Sequence, residues 1–366
     1  MDEKRSAFRG CLLGLAVGDA MGYTVDDKSW NEIQEDYGPN GLLGYDLING
    51  YADVTSYTQI AAFACNGLLL ATTRGQMQGA MAPFVRYLGL SLREWAQSQR
   101  YRVNPGRICC WLARVREICA RRCMDTLMLD TLNREKQGSL EEPLNKFLSP
   151  GAITAAVPVG LFANSEFCSQ GESLRLAAEI VALTHGHPAA FLSAAVVAQL
   201  ISDAAKDRQS SPEALVQQAI NAVQGRFGLE YPQTVEIWEL LRLAMTLAKS
   251  HDPSPVDAME KLGCRTAPEV LAGSVYAWLV SGEDFDTAII TAVNHSGRSA
   301  AVGAITGAIL GARLGEEALP DFYLDCLEPT EVLRELADDL AQGCPMDLGS
   351  AMFDDDWDRK YIHGGI

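Results

Sequence analysis

Asn294-His295-Ser296-Gly297-Arg298-Ser299-Ala300-Ala301-Val302-Gly303-Ala304-Ile305-Thr306-Gly307 is the stretch whose reading decides the fold. It opens polar, turns apolar at Ala300, and runs on through Ala308-Ile309-Leu310-Gly311. A second segment of the same character is Gly10-Cys11-Leu12-Leu13-Gly14-Leu15-Ala16-Val17-Gly18-Asp19-Ala20-Met21-Gly22. Small residues on apolar faces let helix backbones approach closely, which predicts buried helices in a compact all-helical body. Membrane helices use the same device, but no segment here reads as long and apolar enough to cross a bilayer.

Outward from these two segments, apolar residues recur at helical spacing, and alternating strand patterns with hairpin turns are scarce. The periodicity predicts helices over 5–23, 56–73, 78–98, 107–122, 172–184, 188–205, 212–226, 232–249, 266–280, 284–293, 300–313 and 330–342. Pro188 and Ser211-Pro212 supply first-turn prolines, the latter behind a capping serine. Residues 35–55, 123–150 and 343–366 read as irregular. No repeat, low-complexity tract or linker interrupts the chain, so one all-α domain over 1–366 is expected.

The chain has 366 residues, 48% hydrophobic and 21% charged, ample for a large core. A formal net charge of −17 makes nucleic acid and anionic membranes poor partners. Arg114, Arg116, Arg121 and Arg122 form a local exception, read as a solvated helix face. The ten cysteines are scattered without CxxC spacing. Cys119 and Cys123 lack a matching second pair, so reduced, buried thiols are expected. The N-terminal apolar run is broken by Gly14, Gly18, Asp19 and Gly22 and makes a poor signal peptide, so a cytoplasmic location is expected.

Five segments, in order along most of the chain, resemble the ADP-ribosylglycohydrolases. The first is Gly10–Gly22, followed by Thr24-Val25-Asp26 where the family tends to read Pro-Val-Glu. The second is Asp53-Val54-Thr55-Ser56-Tyr57-Thr58-Gln59, similar to a Thr/Ser-Asp-Asp-Thr-Gln loop at a helix start. The third, Ser149-Pro150-Gly151-Ala152-Ile153-Thr154-Ala155-Ala156-Val157-Pro158-Val159-Gly160, resembles a glycine-rich loop, with Ser149 and Ala155 replacing a glycine and an arginine. The fourth is Thr184-His185-Gly186-His187-Pro188, close to Thr-His-x-His-Pro. The fifth is the 294–307 stretch, which resembles a Gly-Asp-Ser/Thr-Asp-Ser/Thr loop.

The resemblance implies a helical glycohydrolase fold in which four aspartates, two from each of the second and fifth loops, hold magnesium. Here Ser56, Tyr57, Arg298 and Ala300 stand at those positions. Magnesium takes near-octahedral oxygen ligands, mainly carboxylates and water, and a guanidinium repels it. No metal ligand and no cofactor is therefore expected. Arg298 could bind a diphosphate, a carboxylate or a partner's acidic side chain, or could pair internally with Asp19, Asp26 or Asp53. Asp19 reads as a structural aspartate near a helix end, Thr55 as a helix cap, and the histidine pair as structural groups beside a pocket.

By the same resemblance, ligand contacts fall on Thr55, Ser56, Tyr57 and Thr58, on Gly151, Ala152 and Thr154, and on His185. His295, Ser296, Gly297, Arg298 and Ser299 complete the set. The leading expectation is a non-hydrolysing homologue that binds an ADP-ribose-like molecule, an ADP-ribosylated protein or another protein partner. One rival is a metal-independent enzyme acting on a glycosidic bond, a modified peptide or a metabolite, with Asp26, Asp53 and His295 as candidate acid or base groups. Another is an inactive regulatory or immunity-type subunit, marked by an apolar surface patch. Leu127-Met128-Leu129 with Leu132, and Met352-Phe353 with Trp357, are candidate patches, although burial against the protein's own core is the expectation for both.

Overall fold

The computed structural model describes residues 2–100, 108–122, 125–163, 165–250, 252–348 and 353–365. Cys123, Met352 and position 107, which entered the expectations above, lie outside the described residues. The described chain is helical, with only isolated bridges such as Ile48 to Tyr51 and Ala52 to Leu327. Its helices are α1 (Glu3–Tyr23), α2 (Trp30–Tyr37), α3 (Ser56–Gln78), α4 (Phe84–Arg100), α5 (Thr126–Leu132), α6 (Ala156–Phe162), α7 (Gln170–Ala182) and α8 (Pro188–Lys206). They continue as α9 (Pro212–Phe227), α10 (Thr234–Lys249), α11 (Pro255–Leu262), α12 (Ala267–Val280), α13 (Phe285–Val293), α14 (Ser299–Leu314), α15 (Asp321–Leu324), α16 (Thr330–Gln342) and α17 (Asp355–Tyr361).

The body is organised on α1 and α14. The two run antiparallel, with Gly10 against Gly311, Gly14 against Gly307, Gly18 against Gly303 and Gly22 against Ser299. A Cβ on any of these seven glycines would come within 3.0 Å of backbone atoms of the facing helix. Four-residue spacing puts the glycines of each helix on one face, and without side chains the backbones themselves make the contact. The remaining helices pack outward from this pair, and buried apolar residues from Phe8 to Tyr361 form one continuous core.

Eleven of the twelve expected helices are present, displaced by a few residues at their ends, and the caps at Ser211 and His187 form as side-chain hydrogen bonds. Four expectations need correction. Residues 108–122 hold only a 3-10 turn at Trp111–Arg114 rather than a helix. Arg122 is accordingly no solvated helix residue: it is half-buried in ion pairs with Asp53 and Glu328. The irregular stretches contain α5, the end of α2 and α17, each short and locally capped. Finally, α8 is long and apolar enough by length and composition to cross a membrane, but 83% of its apolar window is buried within the protein. It is a core helix, packed among α6, α7, α9, α12 and α14.

The glycine contact has a direct test. Gly18→Ala forces its new methyl into the Gly303 carbonyl, whereas a methyl added at Gly225 of α9 would meet nothing within 4 Å. Urea denaturation should show Gly18→Ala losing about 3 kcal/mol through overpacking. Gly225→Ala should gain roughly 0.5–1 kcal/mol from helix propensity alone.

Candidate functional site

The close approach of α1 and α14 brings the segment after α1 against the segment before α14, and α3 starts beside both. Asp19, fully buried on α1, accepts hydrogen bonds from Thr55 N (2.9 Å), Thr55 Oγ1 (2.6 Å), Thr58 N (3.0 Å) and Thr58 Oγ1 (2.6 Å). It caps the N-terminus of α3, where unpaired N–H groups and the helix dipole favour negative charge. Thr55 is the residue-level cap, accepting from Tyr57 N at 3.2 Å. Burial pushes the Asp19 carboxyl up, and the four hydrogen bonds pull against it. Asp19 is the structural aspartate that its apolar frame predicts.

Arg298 is paired internally. Its Nη1 lies 3.3 Å from Asp26 Oδ2 and 2.8 Å from Asp27 Oδ2. Asp26 Oδ1 accepts from Ala300 N at 2.9 Å, so Asp26 also caps α14. Both oxygens of this buried carboxylate are engaged. Burial nevertheless raises it to about 6, against the opposing pull of Ala300 N and the guanidinium. Asp27 adopts a left-handed backbone (φ 62°) and donates its N–H to Gly297 O at 3.1 Å, which fixes one loop on the other. The guanidinium Nε and Nη2 make no hydrogen bond to the described residues.

Tyr57 is buried between these charges. Burial raises its phenol well above the ordinary value, helped by Asp26 and opposed by Arg298, with smaller contributions from Asp19 and Asp125. Its carbonyl accepts from Thr154 Oγ1 at 2.7 Å, which ties the second loop to the third. Ser56 and Thr58 are buried too, as are Gly151 and Ala152. Ser299 is buried at the start of α14, with its hydroxyl 3.4 Å from His295 O. Ser296 binds the loop to its surroundings: its Oγ accepts from Trp30 N at 2.7 Å, and its N–H donates to Glu260 Oε1 at 2.6 Å. Asn294 clamps Leu42 through both N–H (2.8 Å) and carbonyl (2.9 Å).

The three acid or base candidates are not brought together. Asp26 holds Arg298 and Ala300 N. Asp53 is 2.9 Å from Arg122 Nη2. His295 is buried, its Nε2 lies 3.0 Å from Ala292 O, and burial lowers its pKa to about 4. Each of the three is thus engaged by its own neighbours.

Sequence reading missed a further cluster, Asp125, Ser149 and His185. Ser149 Oγ lies 2.6 Å from Asp125 Oδ2 and 2.8 Å from His185 Nε2. Although burial opposes it, hydrogen bonds from His185, Ser149 and Met128 N hold the Asp125 carboxyl well below the usual range. A hydroxyl has one proton, and an ionised carboxylate can only accept. Ser149 therefore donates to Asp125, and His185 Nε2–H donates to Ser149. His185 Nδ1 lies 2.8 Å from the Thr184 hydroxyl, which is also 3.4 Å from Val181 O. The Ser149 proton is thus directed at Asp125 and not at His185. Gly151 is required alongside, since a Cβ there would come within 3.0 Å of Asp125 Oδ2. The Thr-His-x-His-Pro segment pointed to half of this cluster. Asp125 lay in a stretch with no periodicity to place it.

The donors at the second and fifth loops do not fit magnesium. They are two neutral hydroxyl residues, an alanine and a guanidinium already neutralised by Asp26 and Asp27. The Asp19 and Asp26 oxygens are taken up by N–H and O–H donors. Among the described residues, no three His, Cys, Asp or Glu side chains gather as a metal-binding group.

The Arg298 pair yields a pH-dependent expectation. The folded state binds the Asp26 proton more tightly than the unfolded chain does, so the contribution of Asp26 to stability falls as pH rises from about 4 to about 6. Above that window the ionised carboxylate depends on its partners. Arg298→Ala should then cost about 3 kcal/mol at pH 7, the usual order for breaking a buried pair. The loss should shrink at pH 5, where Asp26 is largely protonated, and Asp26→Asn in that background should recover part of it. Equal losses at both pH values in thermal or urea denaturation would assign the effect to packing.

Comparison with known proteins agrees with this geometry. Residues 1–348 match the family model described as ADP-ribosylglycohydrolase. An uncharacterized protein of Archaeoglobus fulgidus is 26% identical over 347 residues, covering 92% of this chain and 95% of the relative. A solved structure described as an ADP-ribosylglycohydrolase-related protein complex shares the fold, with a TM-score of 0.55 and 22% identity over 93% of this chain and 99% of that one. With the glycine-paired α1 and α14 carrying loops in the expected order, the chain belongs to the ADP-ribosylglycohydrolase family.

Proposed function

We propose that this protein is a non-hydrolysing member of the family that holds an ADP-ribose-like diphosphate, free or attached to a protein, without magnesium. The observation that carries this reading is the pairing of Arg298 with Asp26 and Asp27. One guanidinium nitrogen is spent on the two carboxylates. The pair orients the planar group and leaves its Nε–Nη2 edge to accept an anion bidentately. Glycosidic cleavage through a cation-like transition state needs negative charge beside the ribose. Here a cation stands where the family's metal carboxylates are expected, and the nearby carboxylates are committed to capping and pairing.

The regulatory-subunit reading rests on a different observation. Of the patches named from sequence, Leu127 and Phe353 are exposed while Met128, Leu129, Leu132 and Trp357 are buried. The larger exposed apolar run is instead Leu43, Leu47, Ile48 and Tyr51, in the loop that leads to the α3 cap. A partner could cover this loop, and affinity capture with and without Leu47→Asp and Ile48→Asp would detect it.

Calorimetry with ADP-ribose tests the leading reading. Binding is expected with or without magnesium and should be lost in Arg298→Lys, which keeps the charge but removes the fork. Turnover of an ADP-ribosylated arginine or serine peptide is expected to be absent. Magnesium-dependent binding or turnover would overturn the proposal.

A further inference from the structure

A cavity of 760 Å³ opens at the opposite end of α1 from Asp19. Its lining residue Ala7 stands twelve residues from Asp19, roughly 18 Å along the helix. The floor is apolar: Phe8 of α1, Leu69 of α3, Leu161 and Phe162 of α6 and Leu340 of α16, all buried. The volume lies within the roughly 300–1,000 Å³ common for small-molecule sites. None of these floor residues belongs to the five family-like segments.

The rim carries Lys4, Lys206 and Arg208. Lys4 Nζ donates to Ala341 O at 2.6 Å. Lys206 Nζ donates to Ala163 O at 3.0 Å and lies 3.1 Å from Ser202 Oγ. Among the described residues none of the three forms an ion pair, although the chain has 47 acidic residues for 30 basic ones. Glu3 and Glu166 also reach the rim, and Asp203 faces Lys206 but is held by Gln199 at 2.8–2.9 Å. Burial lowers the Lys206 pKa; Asp203 opposes this and the neighbouring charge of Lys4 adds to it. Two ammonium groups are therefore held by carbonyls near each other, over an apolar floor, with Asp203 near Lys206 and neither ammonium in an ion pair among the described residues.

We propose that this cavity binds a single-chain amphiphile with an anionic head, such as a medium-chain carboxylate. The tail lies over Phe8, Leu69 and Phe162, and the head is set between Lys4 and Lys206. Ionic attraction selects the sign of the head, and burial of methylenes supplies the affinity.

Calorimetry of the full chain with octanoate, decanoate, decyl sulfate, decanol and decyltrimethylammonium, all below their aggregation limits, tests the assignment. Decanoate and decyl sulfate should both bind. Decanoate should bind more than tenfold more tightly than octanoate, because each buried methylene adds about fourfold. Lys4→Gln with Lys206→Gln should weaken decanoate at least tenfold, and Ala205→Trp, which fills the partly open rim, should abolish binding. If Ala205→Trp does not fold, the lysine double variant carries the test alone. Equal binding of decanol or of the cationic amphiphile, or decanoate binding indifferent to the variants, would overturn the proposal.

Discussion

The backbone contact between α1 and α14 is the constraint on which the rest of the molecule depends. Helices normally meet through side chains and keep axes about 8–10 Å apart. Here Gly10, Gly14 and Gly18 face Gly311, Gly307 and Gly303, and a single methyl on either side would strike backbone. The register is correspondingly strict. Gly22 lies against Ser299, so the residues after α1 and those before α14 must adjoin. The Asp26–Arg298 pair and the Asp26 cap on Ala300 N follow from this registration. Asp19, on the same helix, is presented to the start of α3. A contact with no chemistry of its own thus sets the geometry of Asp19, Asp26 and Arg298.

Those charges are handled by helix ends as much as by counter-ions. Among the described residues Asp19 has no cationic partner, and two N–H and two O–H donors at the α3 N-terminus take its place. Asp26 receives one N–H from α14 and one arm of Arg298. The difference lies in completeness: Asp19 gains four donors, whereas burial of Asp26 is only partly offset and lifts its pKa to about 6. Arg298 in turn is oriented by Asp26 and the more exposed Asp27. Such a site keeps the family's fold and places a guanidinium, held by two carboxylates, at the loop tip.

Much of this was legible in the sequence because glycine and helix periodicity are local signals. The Gly10–Gly22 and Ala300–Gly311 segments, the caps at Thr55 and Ser211 and the structural Asp19 all follow from spacing or residue type. What the sequence withheld was partnership across distance. It offered Asp19, Asp26 and Asp53 as partners for Arg298, and only the fold selects Asp26 and adds Asp27. It read Arg122 as a solvated side chain because nothing in 107–122 announces that Asp53 and Glu328 converge there. Asp125, in a stretch without periodicity, became visible only when the fold set it beside Ser149 and His185. The sequence reading found no segment long and apolar enough to span a bilayer, yet α8 is one by length and composition, and only its burial in the fold marks it as a core helix.

The charge balance at Arg298 bears on the proposed binding of a diphosphate. With Asp26 and Asp27 ionised, the three-residue cluster carries a net charge of −1, so its long-range field does not attract an anion. Under the proposed reading, recognition would come from the directional donors on the guanidinium edge, which act only at contact. When Asp26 takes up a proton near pH 6 the cluster becomes neutral, and its repulsion of an approaching diphosphate falls while the fork remains charged. The same burial that destabilises the Asp26 carboxylate therefore brings the transition from a repelling to a permissive cluster close to neutral pH.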